Sequence, residues 1–207
     1  MSIFVKSFLI GLSIAAPVGP IGLLCIQRSL IGGWRTGFAT GLGAATADGI
    51  YGLIGALGVS VLIASLTAAR PWFSLWGGLF LCYLGLKTAF AAPASGDAAS
   101  RMTSVIRSYS STLLLTIANP MTILSFIAIF AALGAGIKPA EGHSVVVLMV
   151  SGVFIGSATW WLALSGSVSL IRERISERLM TIINYLSGTI VLGFGVYQSY
   201  LGATLLI

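Results

Sequence analysis

The feature that most constrains this chain is a series of apolar runs, each long enough to cross a lipid bilayer. A transmembrane helix needs about 20 mostly apolar residues. Strands do not fit these runs, because polar and apolar residues do not alternate in them and an open sheet leaves unpaired edges in lipid. The sequence therefore predicts an all-α integral membrane protein with six transmembrane helices. They lie at residues 3–26, 37–64, 71–92, 112–133, 144–167 and 179–201.

The charge content excludes an ordinary water-soluble domain. Of the 207 residues, 57% are hydrophobic and 8% are charged, and the mean hydropathy is +1.03. Soluble domains carry about 25% charged residues, so this chain could not cover a surface in water. Its 11 basic residues, against 5 acidic ones, are spread thinly between the apolar runs. They form no basic patch interleaved with aromatic residues, and no nucleic-acid partner is expected.

The positions of Lys and Arg predict the orientation, because short cytoplasmic loops are enriched in these residues. The side that holds Lys6, Arg70 and Lys138 has three of them, and the loops after the first, third and fifth spans, with their flanks, have eight. We therefore expect these three loops in the cytoplasm and both termini outside. The eight are Arg28, Arg35, Lys87, Arg101, Arg107, Arg172, Arg174 and Arg178.

Short matching stretches in the two halves of the chain indicate an internal repeat of three spans; the alternative is chance similarity among apolar segments. Short stretches in each span of the first half match the corresponding span of the second half. An odd number of spans in each half gives the two halves opposite orientations. We therefore predict an inverted 3+3 repeat in a single domain, residues 1–207, with repeats at about 1–92 and 112–207 and a polar loop at 93–111. The matching pairs are residues 13–17 with 116–120, Ala45-Thr46 with Ala158-Thr159, and Gly78 and Gly85 with Gly188 and Gly195.

Proline-containing stretches interrupt the first and fourth spans. Proline removes a backbone donor and clashes with the preceding turn, so Pro17 and Pro20 around Gly19 should break the first helix. Asn119 before Pro120 should do the same in the fourth. Broken backbone at membrane depth is tolerated where it is buried in protein or lines a cavity, and the N-terminus of a half-helix can bind a carboxylate. The alternative for each break is a plain structural kink.

Asp48 is the only acidic residue within the six predicted spans. A carboxylate at membrane depth costs at least ~2.5 kcal/mol and is a functional hypothesis by default. Its helical neighbours are almost all small, which lets other helices approach closely, so Asp48 should face the helix bundle. It could bind a cationic amino group, carry a coupling proton, or both. The alternative is a structural carboxylate hydrogen-bonded by Thr46 or by a neighbouring helix.

Other residues have structural interpretations. Cys25 and Cys82 lie in apolar runs far apart in sequence and are expected to be packing residues. The chain has one histidine, His143. One such side chain is not enough to form a metal site, which needs several ligands. Tryptophans near the predicted span ends fit an aromatic belt at the membrane interface. They are Trp34, Trp72, Trp76, Trp160 and Trp161.

Three motifs in order along the chain resemble the LysE/RhtB family of amino-acid exporters: Pro17-Val18-Gly19-Pro20, Gly41-x-Gly43 with Asp48, and Asn119-Pro120. The resemblance covers essentially the whole chain. It implies a bacterial inner-membrane secondary transporter, not an enzyme, that exports an amino acid or related small metabolite with the proton motive force. The implied partners are the substrate, protons and the lipid bilayer, without a cofactor; a homodimer stays open. The candidate substrate- and proton-binding residues are Pro17, Gly19, Pro20, Gly41, Gly43, Asp48, Thr116, Asn119 and Pro120.

Departures from the family pattern bear on the substrate. Members often carry Pro-Gly-Pro where this chain has an inserted Val18, and many have Lys where Met121 follows Asn-Pro. Exporters of basic amino acids can carry a further acidic residue in the fourth span, and this chain has none there. Lysine export therefore does not follow.

Two other functions stay open. An exporter of divalent metals such as cadmium or manganese would need more oxygen or thiolate ligands than one Asp, one Asn and isolated cysteines. A membrane thiol/disulfide electron carrier would need paired cysteines, and Cys25 and Cys82 form no Cys-x-x-Cys.

Overall fold

A computed structural model describes residues 2–17, 19–56, 68–90, 98–119, 122–123, 125–126, 143–171 and 177–206. These residues form seven helices and no strand, as the all-α prediction requires. Pro120 and the residues at 57–67 and 127–142, where predicted spans end, lie outside the described ranges. The helices are α1 (Ile3–Ala15), α2 (Pro20–Gly32), α3 (Trp34–Ala56), α4 (Arg70–Ala89), α5 (Ala98–Ile117), α6 (His143–Ile171) and α7 (Glu177–Thr204).

The first predicted span consists of two helices. α1 ends at Ala15 and α2 begins at Pro20, and the two helices are bent by 80° relative to each other. Pro20 is the first residue of α2, where a missing amide hydrogen breaks no intrahelical bond. The break predicted around Gly19 is therefore present.

The connector between α2 and α3 is shorter than the sequence indicates. Residues 27–35 carry charges and glycines typical of a loop, yet α2 continues to Gly32 and α3 begins at Trp34. Gly33 makes the turn with φ of 81°, a left-handed conformation that glycine adopts without a steric penalty. Arg28 consequently lies within α2 and is not a loop residue.

The polar segment at 93–111, predicted as a loop, is helical from Ala98 onward. Arg28 explains part of this difference. Its guanidinium donates hydrogen bonds to the hydroxyls of Thr112 at 3.0 Å and Ser111 at 3.0 Å, and to the carbonyl of Ser108 at 3.1 Å. Serine and threonine side chains on α5 thus pack toward the half-buried Arg28 cation. Hydropathy alone does not distinguish such a helix from a solvated loop.

Small residues on α3 allow two helices to approach it. A Cβ atom added to Gly41 would overlap Trp161 on α6, and one added to Gly43 would overlap the backbone of Tyr109 on α5. α1 packs against α6 as well, so α3 and α6 form the centre of the bundle. Asp48 lies on this packed part of α3 with 3% of its surface exposed, as expected from its small neighbours.

α4 and α7 form a second unit held by backbone contact. A Cβ at Gly78 would overlap the carbonyl oxygen of Gly195, and one at Gly85 would overlap that of Gly188. Glycines at these positions let the two backbones meet directly, which is a common way of packing helices in lipid.

Length and apolar character show which of the described helices could cross a bilayer. α6 is by itself long and apolar enough to cross a bilayer, and α1 with α2 meets the same criterion as one bent pair. The second, third and fourth predicted spans reach into residues outside the described ranges. The six-span count and the inverted repeat therefore stay predictions.

Candidate functional site

A cavity of about 550 Å³ lies at the break between α1 and α2. The remaining walls come from α3, α4, α5, α6 and α7. Most of the predicted site residues meet in this one space, although they come from three separate stretches of sequence. Those that line it are Pro17, Gly19, Pro20, Asp48, Thr116 and Asn119.

The first break contributes the start of α2 to the cavity wall. Gly19 is the N-cap of α2, has extended backbone with φ of −103°, and has no described neighbour within 4 Å of an added Cβ. Ile21 and Gly22, in the first turn, also line the cavity. Amide groups in a first helical turn have no acceptor within their own helix, so this wall offers backbone donors.

The second break begins where α5 ends. The amide of Asn119 donates to the carbonyl of Thr116 at 3.2 Å, and the carbonyl of Asn119 accepts from the amide of Ile123 at 3.2 Å. The hydroxyl of Tyr51, on α3, donates to the carbonyl of Ile117 at 2.5 Å. This bond satisfies one of the carbonyls that a helix end leaves without an intrahelical donor.

Asp48 is positioned by two side chains of α6. The hydroxyl of Ser157 donates to Oδ2 of Asp48 at 2.7 Å, and Nε1 of Trp161 donates to the Ser157 oxygen at 3.2 Å. Among the lining residues that the structure describes, Asp48 alone is charged. The described part of the lining thus carries one fixed carboxylate and no basic side chain, which suits a cationic group or a proton.

Two predicted site residues do not line the cavity. Gly41 packs beneath Trp161, so it helps to hold that indole in the cavity wall. Gly43 faces the backbone of α5 at Tyr109 and Leu113. Both glycines are therefore packing positions, and only Gly41 adjoins the site. Pro120, the last predicted residue, lies outside the described ranges.

Trp161 was expected at the membrane interface, and this expectation is wrong. Only 4% of its surface is exposed, and it lines the cavity. The predicted internal repeat offers a signal for it: when Ala45-Thr46 is aligned with Ala158-Thr159, Trp161 aligns with Asp48. Ser157 was missed because a serine in an apolar run carries no charge to mark it.

Residues of α7 complete the wall and were also missed. Phe194, Tyr197 and Gln198 line the cavity together with the two chain breaks. Gln198 is an uncharged amide within an apolar run, a weak signal in sequence. Neither cysteine belongs to the described lining: the Cys25 thiol donates to the carbonyl of Gly37 at 3.4 Å, and Cys82 lies on the α4–α7 contact.

Comparison with known families matches the chain over residues 12–202 to the family described as LysE type translocator. No solved structure gives a significant match.

Individual relatives extend over most of the chain. It is 30% identical over 206 residues to the Bacillus subtilis (strain 168) protein named "Putative amino acid efflux protein YcgF", covering 98% of this chain and 97% of that protein. It is 25% identical over 188 residues to "Uncharacterized membrane protein YahN" of Escherichia coli (strain K12). This match covers 86% of this chain and 81% of that protein. The family consists of membrane transporters, so membrane transport is the general activity. The family match over most of the chain, together with these relatives, confirms the resemblance found in its motifs, and the chain belongs to the LysE type translocator family.

Proposed function

We propose that the chain exports an amino acid or a related small metabolite across the bacterial inner membrane, coupled to proton entry. The observation that carries this proposal is the meeting of both chain breaks and Asp48 in one cavity. An amino acid has a carboxylate and an ammonium group, and the cavity offers a suitable partner for each.

The breaks are the partners for the substrate carboxylate. Backbone donors in the first turn of α2 and the positive end of its helix dipole stabilise an anion, and Ile21 and Gly22 put that turn in the wall. Asn119 adds a side-chain amide from the second break.

Asp48 is the partner for the substrate ammonium and for the coupling proton. Its carboxylate is buried and held by Ser157, so its position is fixed before the substrate arrives. In the proposed cycle the charged form binds the ammonium group, and a proton replaces the substrate when the cavity faces outward. A charged carboxylate left without either partner would be costly in this apolar setting.

An inverted repeat would supply the two alternating states of such a cycle. Three observations on packing support it. α3 pairs with α6 and α4 pairs with α7, which are the corresponding second and third spans of the two halves. The contact of α1 with α6 has its counterpart in the contact of α3 with α5. The Gly78–Gly195 contact has its counterpart in the Gly85–Gly188 contact.

The name of the Bacillus subtilis relative supports the class of substrate. YcgF is named for amino acid efflux, and it matches this chain over nearly its full length. The cavity volume of about 550 Å³ accommodates a single amino acid with room for its side chain. One carboxylate without basic neighbours in the described lining suits a zwitterion.

The proposal is tested by profiling amino acids inside and outside cells that are fed dipeptides, with and without the protein. Dipeptides raise the internal amino-acid pool without using an amino-acid importer. Cells that make the protein should accumulate less of at least one amino acid and release more of it, and a protonophore should abolish the difference. Asp48→Asn, made to the same membrane level, is the matched control and should behave like cells lacking the protein.

Identical amino-acid profiles with and without the protein would contradict the proposal. In the same strains, tolerance to cadmium and manganese should not change. A gain in metal tolerance with unchanged amino-acid profiles would instead assign the cavity to metal export.

A further inference from the structure

Tyr51, on α3, contacts the chain on both sides of the second break. Its hydroxyl donates to the carbonyl of Ile117 at 2.5 Å, and Ile117 is the last residue of α5. Beyond the break, Phe126 packs against the Tyr51 ring, with the two ring centroids 5.5 Å apart. Both aromatic side chains are buried. A single side chain of α3 therefore holds the chain before and after the break.

The hydrogen bond to Ile117 holds a stretch of backbone that belongs to the cavity wall. Thr116 and Ala118, on either side of Ile117, line the cavity, and so does Asn119, whereas Tyr51 is not among the described lining residues. A helix end leaves carbonyls without donors in their own helix, and the proline after Asn119 has no amide hydrogen to offer there. The Tyr51 hydroxyl provides a donor from α3. Tyr51 thus acts on the cavity through the residues that line it.

The helix that carries Tyr51 also carries Asp48. α3 is continuous from Trp34 to Ala56, and Asp48 lies one turn before Tyr51. In the proposed function Asp48 binds the substrate ammonium, and Asn119 adds an amide for the substrate carboxylate. Because an α-helix keeps its own residues at a fixed spacing, the Tyr51 bond ties the partner of one charged group to the helix that carries the partner of the other. Groups that are held in place before binding need less ordering when the substrate arrives.

We propose that Tyr51 is a positioning residue that holds the second break at a fixed distance from Asp48, so that both charged groups of one substrate are bound together. The proposal rests on amino-acid export as the function, and it assigns a contribution to substrate affinity to a residue outside the described cavity lining. Loss of the hydroxyl frees the carbonyl of Ile117 and weakens binding of the substrate carboxylate. It leaves Asp48 and its bond to Ser157 in place. The affinity for the substrate should therefore fall, whereas the transport rate of the loaded protein should not.

The test uses Tyr51→Phe, which keeps the ring and its contact with Phe126 and removes only the hydroxyl. The purified protein is reconstituted in vesicles that contain the unlabelled amino acid identified by profiling, and exchange with labelled amino acid outside is measured. KM should rise about tenfold, the effect of one lost hydrogen bond to a buried carbonyl, whereas kcat should stay within roughly twofold. Para-aminophenylalanine in place of Tyr51 keeps a donor at the same ring position and should restore the wild-type KM.

Tyr109→Phe is the matched control, because the Tyr109 hydroxyl also joins α5 to α3, through a hydrogen bond of 3.1 Å to Thr46. Neither of these two residues is in the described cavity lining, so KM should equal that of the wild type. The amine that corresponds to the substrate, without its carboxylate, gives a second comparison. Its inhibition constant should be the same for the wild type and Tyr51→Phe, because the ammonium group binds Asp48.

Three results would overturn the role of Tyr51. The first is a KM that Tyr51→Phe leaves unchanged. The second is an equal rise of KM in Tyr109→Phe, which shows a general loosening of the contact between α3 and α5. The third is an equal loss of affinity for the amine, and where the amine does not inhibit the wild type, the comparison with Tyr109→Phe decides.

Two further results are distinguished from these. A wild type that exchanges no amino acid removes the proposed function, and this inference with it. Should Tyr51→Phe fail to insert, Phe126→Leu tests the other contact of Tyr51, because it weakens the ring packing beyond the break. A raised KM with retained kcat then supports the proposal, and an unchanged KM overturns it.

Discussion

The hydroxyl of Ser157 donates a 2.7 Å hydrogen bond to the carboxylate of Asp48, and this bond joins the second predicted span to the fifth. Trp161 donates to the same hydroxyl from one turn further along α6. The only charge in the described cavity lining is therefore held by a helix from the other half of the chain. A relative movement of α3 and α6 would change the surroundings of Asp48 directly.

Replacement of Asp48 by Asn should abolish proton-coupled export while the protein still inserts. Asparagine keeps the size and can accept the Ser157 hydrogen bond, but it cannot bind and release a proton. Asp48→Glu should retain part of the activity with an altered pH profile. Export by vesicles with an imposed pH gradient measures both effects. Near-normal, pH-sensitive export by the Asn variant would show that Asp48 has only a structural role.

Ser157→Ala should reduce export without abolishing it. Hydrogen bonds to charged groups contribute about 1.5–3 kcal/mol, so losing this one should lower kcat/KM roughly ten- to hundredfold and change its pH profile. Ser151→Ala is the matched control on the same helix, because Ser151 donates only to backbone carbonyls of its own helix. Equal transport by both variants would mean that Asp48 is held by other contacts.

Gly188→Ala should destabilise the protein by forcing α4 and α7 apart. A Cβ at this position would overlap the backbone of Ala89, and overpacking of this kind costs about 1–3 kcal/mol. Gly193→Ala, on the same helix, has no described atom within 4 Å of the new Cβ. It should be neutral or stabilise α7 by up to roughly 1 kcal/mol through helix propensity. Thermal unfolding in detergent measures both, and equal melting temperatures would contradict the close contact.

The orientation can be tested with reporters at two positions. A reporter that is active only in the cytoplasm should be active at Ser100 and silent after Ile207, and one that requires export should give the reverse. The reason is the excess of Lys and Arg in the loops after the first, third and fifth spans. The same signal at both positions would contradict a six-span arrangement with both termini outside.

The sequence predicted the parts of the site that consist of residue types unusual in a membrane-spanning helix. A lone carboxylate in an apolar run and prolines inside spans conflict with an ordinary membrane helix, and the structure places Asp48, Pro17 and Pro20 at one cavity. The order of these motifs was also enough to find the family. Small residues around Asp48 correctly predicted its burial, because they allow neighbouring helices to cover it.

The remaining parts depend on contacts between distant residues. Arg28 resembled a loop residue that sets orientation, yet its guanidinium is hydrogen-bonded to hydroxyl and carbonyl groups of α5 that lie 80 or more positions away, such as those of Ser108 and Ser111. The same contacts turn a polar stretch into helix. Trp161 and Gln198 lack any local pattern that separates a cavity wall from a membrane interface. Contacts between helices determine whether such a residue faces a cavity or the membrane interface. These contacts cannot be deduced from the sequence of one helix.

The glycine contact between α4 and α7 affects how these helices can move. Interdigitated side chains resist sliding, because each must leave one gap before it enters the next. At Gly78, Gly85, Gly188 and Gly195 the two backbones approach each other directly, and the side chains beside the contact are short: those of Cys82, Ala89 and Ser199. Shear between packed helices is a recognised form of conformational change, and here it would need no change of rotamer at these four positions. A small axial shift of α7 would move Gln198 relative to Gly77 and Leu81 of α4, which line the same cavity.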